Sequence, residues 1–121
     1  MNENQLVEQL FDASEWVRYV AFYDGKSLVM RSRDDLSDAS SSESDRYEEL
    51  LVNPALITLA RQRGDIDCGG FQYLAIRYGN FHQLVYPLPR GHVSVALEPA
   101  ADVSELAPVF GQTIERLSGV A

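Results

Sequence analysis

The chain has 121 residues, with 10 Lys+Arg against 18 Asp+Glu and a formal net charge of −8. Nucleic-acid binding rests on cationic groups neutralising phosphates, so this balance argues against nucleic acid as a partner, and against anionic membrane surfaces for the same reason. A single cysteine, Cys68, excludes an intrachain disulfide.

Hydrophobic residues make up 45% and charged residues 23%, the proportions of one globular domain with one core, here spanning 1–121. No apolar run approaches the roughly 20 residues that a bilayer span needs. The polar, acidic opening Met1 to Gln5 differs from the basic start of a secretory signal, so the expectation is a cytoplasmic protein.

Residues 3–12 read as a helix, because Leu6, Val7, Leu10 and Phe11 recur at helical spacing. Trp16 to Tyr23 reads as a strand that is apolar on both sides. Trp16, Val20 and Phe22 form one set, and Val17, Tyr19, Ala21 and Tyr23 the other, as in a central strand covered on both faces. Asp24 and Gly25 then signal a hairpin into a second strand over 27–33, since both residues tolerate positive φ. Residues 34–45 are acidic and serine-rich and read as a surface loop, with phosphorylation or partner docking as the sharper alternative.

From Tyr47 to Gly64 the chain reads as helical but greasy around most of its circumference: Leu50, Leu51, Val52, Ala55, Leu56, Ile57, Leu59 and Ala60 do not fit one stripe. Something must cover the second side, and a second protein chain is the expected cover. Ser44 or Asp45 is the candidate cap at the start, and Arg61, Arg63 and Gly64 suit the end. Asn53 and Pro54 leave two readings, one long helix kinked at Pro54 or a new helix that begins there with Asn53 as its cap. The second is preferred, because proline removes a helix hydrogen bond and disfavours helical angles before it. Three strands follow over 71–78, 81–88 and 92–97, joined by turns at Gly79–Asn80 and Pro89–Gly91. In the last strand Val93, Val95 and Leu97 point one way and His92, Ser94 and Ala96 the other. Residues 102–118 read as a closing helix, capped by Asp102 or Ser104, with Leu106, Val109, Phe110, Ile114 and Leu117 inward.

The predicted fold is therefore α+β, in the order α-β-β-α-β-β-β-α. This order, the Asp24–Gly25 hairpin, the apolar segment ending at Gly64 and the meander from Phe71 to Leu97 resemble the roadblock family, which includes dynein light chains and small bacterial regulators of Ras-like GTPases. The resemblance covers roughly residues 3–118. It implies a five-stranded antiparallel sheet with one helix on one face and two on the other. It also implies homodimers built by pairing the middle helix, here 47–63, and joining sheet edges, here 71–78. The interface would then comprise Leu51, Ala55, Leu56, Leu59, Ala60, Arg63, Phe71 and Tyr73. A small GTPase is the further partner implied, although no motif aligns a GTPase-contacting residue.

Reactive chemistry finds little support. Cys68 with His82 or His92 supplies the residue types of a nucleophile and base, but nothing in their spacing shows that they converge. Asp65, Asp67 and Cys68 match no zinc pattern. Gly64, Gly69 and Gly70 lack the Gly-Lys-Ser/Thr of a phosphate loop and suit a tight turn instead. His92 and Ser94 have no acidic partner nearby in sequence and are expected under a helix or facing solvent. Tyr73, Tyr78, Phe81 and Tyr86 read first as packing residues and second as the wall of a ligand pocket. Arg61, Arg63, Arg77 and Arg90 are the residues from which a basic patch would have to be built. No catalytic, cofactor or metal residue is assigned.

The leading expectation is a non-enzymatic homodimeric interaction module. A type III secretion-type chaperone is the alternative that acidity and size suggest, although such chaperones place three strands before the middle helix, where this chain has two. A PAS-like sensor would share the strand succession but carry several short helices between strands two and three.

Overall fold

The computed structural model describes residues 2–34, 36 and 41–118. Helix α1 (Glu3–Ala13) starts at Asn2, whose side chain accepts from the amides of Asn4 and Gln5. Strands β1 (Val17–Tyr23) and β2 (Leu28–Ser32) follow. Next come α2 (Ser42–Tyr47), a π-helical turn (Glu48–Val52) and α3 (Asn53–Asp67). Strands β3 (Leu74–Arg77), β4 (His82–Pro87) and β5 (His92–Leu97) and helix α4 (Val103–Ser118) complete the chain. The sheet order is β2-β1-β5-β4-β3, and every pairing is antiparallel.

The two faces of the sheet are packed by different chemistry. On one face Leu6, Val7 and Leu10 of α1 and Ala107, Phe110 and Ile114 of α4 close over Val20, Phe22, Leu84, Val93, Val95 and Leu97, which makes the main apolar core. On the other face the apolar cluster is small: Tyr19, Ala21 and Ala96, flanked by Leu28, Met30 and Phe81. The rod formed by α2, the π turn and α3 lies over that face. The alternation read in β5 is the one observed, with Val93, Val95 and Leu97 in the main core.

Several sequence expectations need correction. A β-bulge between Val17 and Tyr19 turns Val17 to the same side as Val20, into the main core, so the two faces of β1 are not the strict alternation that the sequence suggests. Trp16 lies outside the strand and is exposed. The acidic stretch is not a loop as far as residue 45, because the Ser41 hydroxyl caps the amide of Ser44 and α2 begins at Ser42, with Glu43 and Asp45 in a first turn that favours acidic residues. Asp35 and residues 37–40 of that stretch lie outside the described residues. In α4, Val109 is exposed rather than inward.

The preferred break at Asn53 is absent. Asn53 has φ −63° and ψ −44°, and its amide bonds to the Glu48 carbonyl across the π turn, so one continuous rod runs through Pro54. The wide turn just before the proline absorbs the hydrogen bond that its ring cannot make.

Gly64 does not stop the rod, which continues to Asp67. A Cβ on Gly64 would stand 3.1–3.3 Å from the backbone of Gly70 and Phe71, so its role is to admit the returning chain, and Gly69 and Gly70, with φ of 80° and 93°, make the turn. Finally, β3 is shorter than 71–78. Extending its register would set Gln72 opposite Pro87, which has no amide to continue the ladder.

Candidate functional site

The π turn delivers Glu49 onto the sheet, where it is fully buried. Its Oε1 accepts from Ser94 Oγ at 2.5 Å, His92 Nε2 at 2.8 Å and Asn53 Nδ2 at 2.9 Å. Its Oε2 accepts from the Tyr19 hydroxyl at 3.0 Å and from Gln83 Nε2 at 3.4 Å. Asn53 Nδ2 also donates to Ser94 Oγ at 3.1 Å, a third bond between the rod and β5. Five donors from β1, β4, β5 and the rod itself therefore converge on one carboxylate. Burying a carboxylate without such partners is prohibitive, and these bonds fix how the rod sits on the sheet. Within the cluster Asn53 Oδ1 is buried without a hydrogen-bond partner. Burial and the adjacent Glu49 carboxylate push the Tyr19 phenol well above the usual tyrosine range.

Sequence reasoning singles out two members of this cluster, His92 and Ser94, and misses the acid between them. The only signal for that acid is a charge inside the greasiest stretch of the chain, 43 residues from His92. The hydroxyl and imidazole both point at Glu49 in the interior, so the cluster has the residue types of acid–base chemistry, turned inward on one another.

The other candidates do not converge. Cys68 is exposed at the end of α3, and His82 Nε2 contacts the Pro99 carbonyl. Among the described residues no group of three or more His, Cys, Asp or Glu side chains stands where it would hold a metal ion. Arg61 donates to the Leu88 carbonyl, Arg63 pairs with Asp67, and Arg77 donates to the Tyr78 and Gly79 carbonyls, so these three are occupied separately. Tyr73 and Tyr86 stack on one another, with ring centroids 5.7 Å apart. Tyr78 and Phe81, in contrast, line a cavity of about 390 Å³ between the rod and the sheet.

The outer side of the rod carries a row of exposed apolar side chains: Tyr47, Leu51 (59% exposed), Leu59 (64%) and Ile66 (75%). A single subunit therefore does not cover the apolar surface of this helix. Ala55 and Arg63 are exposed, and Leu56 and Ala60 are half-buried. Phe71 is half-buried and Tyr73 exposed, both just before β3, which lies at one edge of the sheet. No helix among the described residues is long and apolar enough to cross a membrane.

At the level of sequence, no protein-family model and no curated protein matches this chain. Its backbone does match solved structures. A structure of MglB with a tetrameric arrangement aligns at a TM-score of 0.73 and 10% identity, over 98% of this chain and 86% of the other. The gliding protein MglB from Thermus thermophilus aligns at 0.65 and 12% identity, over 98% and 89%. A Roadblock/LC7 domain from Streptomyces avermitilis aligns at 0.65 and 12% identity, over 96% and 97%. By its order of elements, its sheet and nearly its whole length, the chain has the roadblock/LC7 fold.

Proposed function

We propose that this chain is a non-enzymatic, homodimeric protein-interaction module with a regulatory role, its partner beyond itself being a small Ras-like GTPase. The observation that carries the dimer is the exposed row Tyr47, Leu51, Leu59 and Ile66 on the rod, together with β3 at one edge of the sheet. A two-fold axis would bring this row onto itself and one β3 edge onto the other. Each leucine would then lose its remaining contact with water twice per dimer, and the unpaired strand edge would be covered. That one structural neighbour is described in a tetrameric arrangement supports self-association on this fold. The GTPase partner rests on the roadblock resemblance of the whole layout.

Sedimentation velocity at micromolar concentration tests the dimer. Leu51 and Leu59 lie outside the subunit core, so Leu51→Asp or Leu59→Asp should yield a folded monomer. A wild-type chain that sediments as a monomer refutes the assembly. For the second partner, the purified chain is titrated with the small GTPases of its host in both nucleotide states. Absence of binding to all of them removes the GTPase and leaves the dimer standing.

A further inference from the structure

We propose that the cavity between the rod and the sheet binds a small organic cation, an amine or guanidine carrying an aromatic or aliphatic body. This goes beyond the interaction module and does not rest on it, because every wall comes from one chain.

The cavity, at about 390 Å³, has the size of a small-molecule site. Its walls are largely apolar: Tyr19 on the floor, Val52 and Tyr47 from the rod, and Tyr78 and Phe81 from the β3–β4 hairpin. Tyr78 and Phe81 are tilted against each other with ring centroids 5.3 Å apart, and aromatic faces of this kind attract cations.

Arg18, Asp45, Glu48 and Glu49 are its charged wall residues, and Glu48 differs sharply from its neighbour Glu49. Glu49 has five donors. Among the described residues the Glu48 carboxylate accepts a hydrogen bond only from the Tyr78 hydroxyl, at 2.9 and 3.2 Å, and it makes no ion pair. It is nevertheless half-buried. Partial desolvation raises its pKa above the ordinary carboxylate value, and the nearby Glu49 and Asp45 raise it further against the opposing Tyr78 bond and the more distant His92. The same burial and the same hydrogen bond push the Tyr78 phenol up to about 12. Arg18, also in the wall, is engaged by Glu98 at 2.6 Å and lies over one face of the Phe81 ring, 5.8 Å from its centroid, which leaves the Tyr78 ring as the aromatic face beside Glu48. The cavity thus offers a carboxylate that has lost solvent without gaining an ion-pair partner, beside the aromatic side chains of Tyr19, Tyr47, Tyr78 and Phe81. A bound cation would supply that partner.

The test uses 2-phenylethylamine as probe, with 2-phenylethanol and phenylacetate as its uncharged and anionic counterparts. Each is titrated into the full isotopically labelled chain and followed by amide chemical shifts. The amine should bind at least tenfold tighter than either counterpart, with shifts centred on Glu48, Tyr78 and Phe81. Glu48→Gln should abolish that preference, and Tyr78→Phe should retain it, because the carboxylate remains. Equal binding of the amine and the alcohol, shifts confined to the outer row of the rod, or an unchanged amine preference in Glu48→Gln would each overturn the proposal. Running the Leu51→Asp monomer in parallel separates this result from the dimer, since a cavity built by one chain keeps its preference there.

Discussion

Replacing Glu49 is the sharpest test of how the rod is held. In Glu49→Ala the carboxylate disappears and its donors stay. Asn53 keeps Ser94 as an acceptor, but the Tyr19 hydroxyl, His92 Nε2 and the Ser94 hydroxyl lose the acceptor they share. Each buried donor left without a partner costs about 1–3 kcal/mol. Water entering the vacated space recovers part of that, and alanine's slightly better helix propensity recovers a few tenths. A net loss of about 3–5 kcal/mol follows. Against a typical domain stability of about 5–15 kcal/mol this is a large fraction.

Glu49→Gln is the informative control. Its carbonyl oxygen keeps the place of Oε1 and the three donors there. Its amide replaces Oε2, where the Tyr19 hydroxyl rotates to accept and only the long Gln83 contact is lost. The expected cost is about 1–2 kcal/mol. Urea denaturation at one fixed protein concentration reads both values, fixed because an associating chain gains stability with concentration. At roughly 4 °C per kcal/mol for a chain of this size, melting should fall by about 12–20 °C for alanine and about 4–8 °C for glutamine. An alanine variant within about 1 kcal/mol of wild type, or a glutamine variant no better than alanine, would refute the idea that this carboxylate fastens the rod.

Two further outcomes are expected. Glu98 accepts from Arg18 at 2.6 Å and Arg33 at 2.9 Å, and these bonds, Arg18 first, hold its carboxyl below the ordinary value of 4.5. A depressed folded pKa contributes stability above the unfolded value that is lost as pH falls through the folded one, so Glu98→Gln should flatten the stability profile below pH 4.5; an unchanged acid limb would count against it. At Gly91 an added Cβ would overlap the Tyr23 carbonyl, because the β4–β5 turn presses on the tip of the β1–β2 hairpin backbone to backbone. Gly91→Ala should cost at least about 1–3 kcal/mol, against about 0.5 or less for Gly79→Ala, whose Cβ meets open space. Equal melting of the two variants would contradict this packing.

The sheet is legible in the sequence because its signals are local. Alternation in β5, the Asp24–Gly25 turn and the helical spacing of Leu6, Val7 and Leu10 depend on near neighbours, and the observed elements follow them. The β1 bulge is not legible, since it exists only in the pairing of β1 with β5, a strand distant in sequence. The rod is half legible. Its excess of apolar residues marks an outer face that the subunit leaves bare at Leu51 and Leu59. Its inner face reads as apolar too, and instead begins with Glu49 and Asn53. A periodicity argument treats a carboxylate in such a stretch as solvent-facing. Only contacts with β1, β4 and β5, all distant in sequence, reverse that assignment.

The π turn joins the buried cluster to the exposed row. In a regular helix each residue turns about 100°, so a four-residue step drifts by about 40°. Over the three steps from Tyr47 to Leu59 the drift would reach about 120°, and the row would wind around the rod. The inner side would suffer equally, for with Ile57 on the sheet, Glu49 eight residues earlier would stand about 80° away from it. A π turn spends one extra residue in its loop and takes back about 100°. Tyr47, Leu51, Leu59 and Ile66 then share one outer line while Glu49, Asn53 and Ile57 share one inner line, which is the burial observed. Pro54, directly after the turn, lacks the amide that would tighten it to a regular helix. The proline that looks like a break in the sequence is therefore what lets a single helix seal a carboxylate against the sheet on one side and present a straight apolar row on the other.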